Sequence, residues 1–126
     1  MVSNKKRPVF LNLFLIRLPV AGVSSILHRI TGVALVILLP FFLYALQRSL
    51  HDAQEFERVT SWFQTLPGRS TALIMATVFA QHFATGIRHL LLSLGIGMGP
   101  LAASRSAWAT FIFTALVTLF VVSQLL

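Results

Sequence analysis

Apolar residues run almost unbroken through three stretches of this chain, and the polar positions between and within those stretches define the rest of the molecule. The first stretch predicts a span from about Ile26 to Leu46, with no charged residue between Ile30 and Leu46. Pro40 lies inside it, where a membrane helix tolerates proline with a kink. Tyr44 lies near its end, where aromatic side chains favour the interface. A second span is expected from about Ser70 to Leu94. A third, Ala107 to Leu126, carries no charge at all. Twenty residues rising 1.5 Å each cover ~30 Å, about the thickness of one hydrocarbon core.

The intervening segments read differently. Residues 47–69 hold all three acids, Asp52, Glu55 and Glu57. Asp52 followed three residues later by Glu55 has the form of a capping box. Phe56, Val59, Trp62, Phe63 and Leu66 then recur at helical spacing. This pattern predicts a short amphipathic helix on the membrane surface, with Pro67-Gly68 expected to end it. Gly95, Gly97, Gly99 and Pro100 predict a tight loop between the second and third spans.

Residues 1–29 are basic and mixed, with Lys5, Lys6, Arg7, Arg17 and Arg29. The apolar run Val9–Ile16 is interrupted by Arg17 and Pro19, and no clear small-residue cleavage site follows. An interfacial segment is therefore expected there, not a secretory signal. The fold expected is an all-α membrane protein of three transmembrane helices, up-down-up, forming a single domain over residues 1–126. One short amphipathic interfacial segment stands at the N-terminus and another between the first two spans.

Composition strengthens the membrane reading. The chain is 56% hydrophobic and 10% charged over 126 residues, against roughly 25% charged in ordinary globular domains. A soluble fold this short could not hide so much apolar surface. There is no cysteine, so disulfides and iron–sulfur clusters ligated by cysteines of this chain are excluded. Any redox centre is a bound cofactor or belongs to partners.

The net charge of +7 comes from scattered basic residues, which argues against nucleic-acid binding. These residues serve instead to orient the chain. Seven Lys and Arg lie in the N-terminal segment and beside the second connection, and three (Arg48, Arg58 and Arg69) in the first connection. The richer side is expected to be cytoplasmic, or the mitochondrial matrix, with the C-terminus on the far side.

Ionisable residues inside a span are costly and usually functional. Ser25-Ile26-Leu27-His28-Arg29 stands where the first span begins, and His82, Arg88 and His89 lie within the second. Counting from Ser70, His82 is ~18 Å deep, slightly past the midplane. His89 is seven residues further on, nearly on the same face, with Gly86 between the two. A glycine there admits a large flat group or another helix close to the backbone, and a buried histidine beside it suits a haem ligand. His82 and His89 cannot both be axial ligands, being ~10.5 Å apart on one helix. His28 is expected near the interface, shallower than His82. A second ligand would then come from another chain.

Each residue alone also has an ordinary reading. His82 fits a helix–helix hydrogen bond as readily as a ligand. Arg88 and His89 fit snorkelling side chains, and His28 and Arg29 fit basic flanks. Ser25 fits a helix N-cap. Their convergence near one leaflet is what favours a shared site.

Two segments carry a family resemblance. Ser25-Ile-Leu-His28-Arg29-Ile-Thr31-Gly32, preceded by Arg7-Pro8, resembles the first signature of the cytochrome b556 anchor subunits of succinate dehydrogenase. His82-x-x-x-Gly86-Ile-Arg88-His89-Leu90 resembles their second. The resemblance implies a membrane anchor of succinate:quinone oxidoreductase. Its partners would be a second anchor subunit, an iron–sulfur subunit and a flavoprotein subunit that oxidises succinate. It implies haem b shared between the two anchors, with His82 as the iron ligand from this chain. It implies ubiquinone bound near Ser25 and Arg29, and His28, Arg29 and His89 near the haem propionates. A bacterial inner membrane is the location implied, with the mitochondrial inner membrane as its equivalent. Ser93 stands where the family usually has an acidic residue, which puts any role of that carboxylate in doubt.

Overall fold

The computed structural model describes residues 18–125. The expected N-terminal interfacial segment, with Arg7-Pro8 and Arg17, lies outside the described residues. Four helices follow in order: α1 (Val20–Ser49), α2 (Ala53–Gln64), α3 (Leu66–Ser93) and α4 (Pro100–Leu125). Three of them, α1, α3 and α4, are long and apolar enough to cross a membrane. The helices extend past the spans read from hydropathy. At 30 residues, α1 measures ~45 Å, so both its ends reach the headgroup zones. Pro19 occupies its N-cap position in an extended conformation. Ser25 is therefore inside the helix, not capping it. The helix continues unbroken through Pro40.

The surface helix α2 starts where the acids predicted. Asp52 Oδ1 accepts a hydrogen bond from the Glu55 N–H at 2.8 Å. That N–H, and after it the His51 ring 2.9 Å away, hold the Asp52 carboxyl below the ordinary carboxylate range. The reciprocal half of the expected capping box is replaced by ion pairs. The Glu55 carboxylate takes Arg48 at 2.5 Å and Arg58 at 2.6 Å.

The corner after α2 corrects the expectation that Pro67-Gly68 ends it. Thr65 does so, its N–H bonding the Trp62 carbonyl at 3.0 Å. The same Thr65 caps α3, its hydroxyl oxygen accepting from the Gly68 N–H at 3.2 Å. Pro67 sits in the first turn of α3, where a missing N–H is no loss. Gly68 is buried against the Trp62 carbonyl and the Phe63 backbone, and a side chain there would overlap both.

Of the three spans α3 is central, packing on both α1 and α4. The residues packed between the spans are small or polar: Ser24, Thr31, Ala80, Gln81, Thr85, Ala107, Thr110 and Thr114 are buried, while Val36, Phe41 and Leu116 face outward at 72%, 69% and 62% exposure. This inverts the soluble pattern. In lipid, helices gain by close backbone approach and interhelical hydrogen bonds, not by hiding large apolar groups. The α3–α4 seam is linked in this way at three levels. Thr77 and Thr118 hydroxyls meet at 3.0 Å. Thr114 donates to Gln81 Oε1 at 2.9 Å, while Gln81 Nε2 donates to the Thr85 hydroxyl at 2.9 Å. Arg88 Nε donates to Ser106 Oγ at 3.0 Å. Gly95 and Gly97, at φ 79° and 77°, make the turn into α4. Pro100 opens that helix; it is not part of the loop.

Candidate functional site

The antiparallel course of α1 and α3 brings the two histidine-bearing segments face to face. The His28 and His82 rings stack with centroids 4.1 Å apart and 12° between planes. His89, two turns along α3 from His82, tilts against the other side of His28, its centroid 5.2 Å away. His28 thus lies between His82 and His89, opposite Gly86 and not opposite His82 itself. All three histidines predicted for the site come together.

A hydrogen bond sets the chemistry of His82. Its Nδ1 lies 3.1 Å from the His28 carbonyl oxygen and 3.2 Å from Thr31 Oγ1. The carbonyl can only accept, so Nδ1 carries the proton. The Thr31 hydroxyl donates its own proton to the carbonyls of Leu27 and His28, at 2.8 and 3.0 Å. It therefore faces His82 as an acceptor. With Nδ1 protonated, the lone pair of the neutral ring is on Nε2, the arrangement that metal-binding histidines adopt.

Two glycines make room for the rings. A Cβ at Gly32 would stand 3.0 Å from His82 Cε1, and one at Gly86 would stand 3.4 Å from His28 Cε1. Each ring therefore seats on the glycine of the opposite helix. His28, Arg29, Gly32, Val36 and His82 line a depression of about 490 Å³ that opens outward between the helices. Beside it the His28 Nδ1 is buried without a hydrogen-bond partner.

Arg29 is exposed and Ser25 half-buried. They are one turn apart, within about 40° on the helix circumference. Ser25 does not line the depression with Arg29, and the buried serine here is its neighbour Ser24, whose Oγ is unpartnered. Among the described residues, no group of three or more His, Cys, Asp or Glu side chains is arranged to hold a bare metal ion. What the described residues present is the free Nε2 of His82 beside a cleft, with His28, His89 and Arg29 around it.

The roles of Thr31, Gly32, Thr85 and Ser24 were not apparent from hydropathy. One signal was available: His28 and His82 are each followed by threonine at the third position and glycine at the fourth. Placed on antiparallel helices, that repeated pattern produces the reciprocal ring-on-glycine packing.

Comparison with known proteins identifies a family for the chain. Residues 3–122 match the family described as succinate dehydrogenase/fumarate reductase transmembrane subunit. The chain is 32% identical over 122 residues to a succinate dehydrogenase cytochrome b556 subunit of Coxiella burnetii, covering 90% of this chain and 94% of the relative. It is 26% identical to the like-named protein of Rickettsia felis and 25% identical to that of Rickettsia prowazekii, in each case over 90% of this chain and 89% of the relative. With three membrane-spanning helices and a match along nearly its whole length, the chain belongs to the succinate dehydrogenase/fumarate reductase transmembrane subunit family.

Proposed function

We propose that this chain is the anchor through which a succinate:quinone oxidoreductase holds haem b and reduces quinone at the membrane. The observation that carries the reading is the His82 ring. Its Nδ1–H is committed to the His28 carbonyl at 3.1 Å, leaving Nε2 available beside the cleft. The site residues fit a haem on further grounds. Gly32 leaves the space that the His82 ring occupies. The orphaned His28 Nδ1 has a proton or a lone pair to offer. Arg29 lines the same depression.

In this reading His82 would hold the haem iron through Nε2, and a second anchor subunit would supply the other histidine. Haem b, when bound, supplies a one-electron relay. The residues of this chain orient and neutralise. The His28 carbonyl and Thr31 fix the tautomer and rotation of the ligand. Arg29, His28 and His89 offer charge-assisted hydrogen bonds to the haem propionates. Ser25 and Arg29 hold a quinone, with the guanidinium stabilising the charge that develops on the quinone oxygen in a water-poor site.

Succinate oxidation belongs to the flavoprotein subunit, and an iron–sulfur subunit delivers the electrons. Reduction of the quinone to quinol consumes two electrons and two protons, the latter taken from the aqueous side near Arg29. The Lys and Arg excess of the N-terminal segment with Arg88 and Arg105 supports a cytoplasmic location for that side, in a bacterial inner membrane.

The test is a reduced-minus-oxidised spectrum of the purified complex with its subunit bands. A b-type spectrum in the wild type and its loss in His82→Ala are expected. A complex that keeps its haem in His82→Ala has its ligand elsewhere. For the quinone site, Arg29→Leu should depress quinone reduction and leave succinate oxidation by an artificial soluble acceptor intact. Unchanged quinone turnover would remove Arg29 from the site.

A further inference from the structure

Arg88 is the buried charge that the proposed chemistry does not use. Its side chain is turned away from the histidines, toward α4, and is 6% exposed. Nε bonds Ser106 Oγ at 3.0 Å and Nη2 bonds the Ala103 carbonyl at 3.2 Å. A guanidinium has five N–H donors, and the remaining ones make no hydrogen bond among the described residues. Both partners it does have are neutral. The side-chain carboxylates of the whole chain are Asp52, Glu55 and Glu57, all in the segment that starts α2, at the opposite end of the spans. A buried guanidinium without a counter-charge is strongly destabilising. The anion must therefore come from outside this polypeptide.

The surroundings of Arg88 indicate its chemistry. A groove of about 380 Å³ runs between α3 and α4 from the turn at Ile96 and Gly97, past Arg88 and Ser106 partway along, to Phe83 and Phe113. Arg88 lies five residues before the end of α3 at Ser93, which is roughly 7.5 Å along the helix. That depth corresponds to the boundary between headgroups and hydrocarbon. No residue of α1 lines the groove. It is separate from the depression of His28, Arg29 and His82, so a haem propionate does not serve it.

We infer that this groove is a binding site for an anionic phospholipid. The phosphodiester accepts the free guanidinium donors of Arg88, and an acyl chain lies along Phe83, Ile87, Ala109 and Phe113. A fork of N–H donors matches two phosphate oxygens. The apolar length continues from that charge toward the bilayer centre, as the acyl chain of such a lipid does. The site depends on the membrane fold and the Arg88 geometry, and is independent of the haem and quinone assignment.

The experiment uses the whole purified complex, delipidated by detergent exchange. It is titrated in mixed micelles with dioleoyl phosphatidylglycerol, with dioleoyl phosphatidylcholine, or with inorganic phosphate alone. Native mass spectrometry counts the lipid retained, and thermal denaturation reads its effect. Phosphatidylglycerol should be retained at one site per copy of this chain and raise the midpoint, whereas phosphatidylcholine and phosphate should not. Arg88→Gln should loosen retention by about tenfold or more, the value of a charge-assisted hydrogen bond. Ala109→Phe fills the groove and leaves the charge in place, so it decides the matter should Arg88→Gln fail to assemble, and it too should lose the lipid. Equal retention of the two lipids, or unchanged retention in Ala109→Phe, overturns the inference. So does a carboxylate of a partner subunit found bonded to Arg88.

Discussion

The imidazoles of His28 and His82 lie parallel, 4.1 Å apart at their centroids, although 54 positions separate them along the chain. Two helices can bring rings this close only where the opposing backbone has no side chain. The stack therefore depends on Gly32 and Gly86 as much as on the histidines.

This dependence predicts an order of severity. An added methyl at Gly32 meets His82 Cε1 at 3.0 Å, and at Gly86 it meets His28 Cε1 at 3.4 Å. Gly32→Ala must push the proposed ligand ring aside, an overpacking worth about 1–3 kcal/mol. Gly86→Ala makes little more than ordinary contact and gains helix propensity of up to about 1 kcal/mol. Haem content per complex, measured by pyridine haemochrome, is expected to fall in Gly32→Ala and to hold in Gly86→Ala. The reverse order would disprove the ring-on-glycine account.

Thr31 tunes the ring that it touches. Its hydroxyl oxygen accepts from His82 Nδ1–H at 3.2 Å, alongside the His28 carbonyl at 3.1 Å. Thr31→Val keeps the shape and removes one acceptor, making the imidazole a poorer donor to iron. One hydrogen bond of about 0.5–1.5 kcal/mol corresponds to roughly 20–60 mV for a one-electron couple. Redox titration of the haem should show an upward shift of that order with content unchanged. A potential identical to wild type would mean that the carbonyl alone sets the ring.

The bridge between Gln81 and Thr114 should be weak singly and coupled in combination. Thr114 also donates to the Thr110 carbonyl at 2.9 Å, so it keeps a partner when Gln81 is lost. Gln81→Leu is therefore expected to destabilise the chain by about 0.6 kcal/mol, and by no more than about 2. The double variant with Thr114→Val should cost less than the two single changes added together. Thermal denaturation of the four variants completes the cycle, and strict additivity would show that the bond contributes nothing.

Acid should loosen the surface helix before it touches the spans. The Asp52 carboxyl is held below its ordinary range by the Glu55 N–H and His51. A carboxyl with a depressed folded-state pKa stabilises fully above its unfolded pKa, and the stabilisation is lost as pH falls through the folded value. Hydrogen exchange at Glu55 and the following α2 amides should therefore be pH-independent, after correction for intrinsic rates, from neutrality down to the ordinary carboxylate range, and should rise below it. Asp52→Ala should exchange fast throughout. An unchanged profile in that variant would exclude the cap as the cause.

Much of this was legible in the sequence because lipid imposes a simple requirement. A span must be long and apolar, so hydropathy located α1, α3 and α4, and the conspicuous polar residues inside them marked the site. Boundaries were less legible. Capping depends on a few backbone groups, and Thr65 outcompeted the stronger-looking Pro67-Gly68 signal because it could serve two helices at once. The stacking of His28 on His82 was not legible because position along one helix says nothing of how far its neighbour is shifted. That shift is fixed by which small residues meet, here Gly32 with His82 and Gly86 with His28. The buried Gln81–Thr114 pair lay among apolar neighbours, where only the fold reveals that the two face each other.

The junction at Thr65 has a mechanical consequence. A single residue both ends α2 and caps α3, and Gly68 packs that corner with no slack. The amphipathic helix is thus a rigid flange on the shaft of α3. From Thr65 to His82 the distance is seventeen residues of continuous helix, about 25 Å. A flange resting on the headgroups at its own end of the spans would set the altitude of the imidazole in the bilayer by helical rise alone. A thicker or thinner membrane would then be accommodated at the far end, around Gly95 and Gly97, and not at the ring.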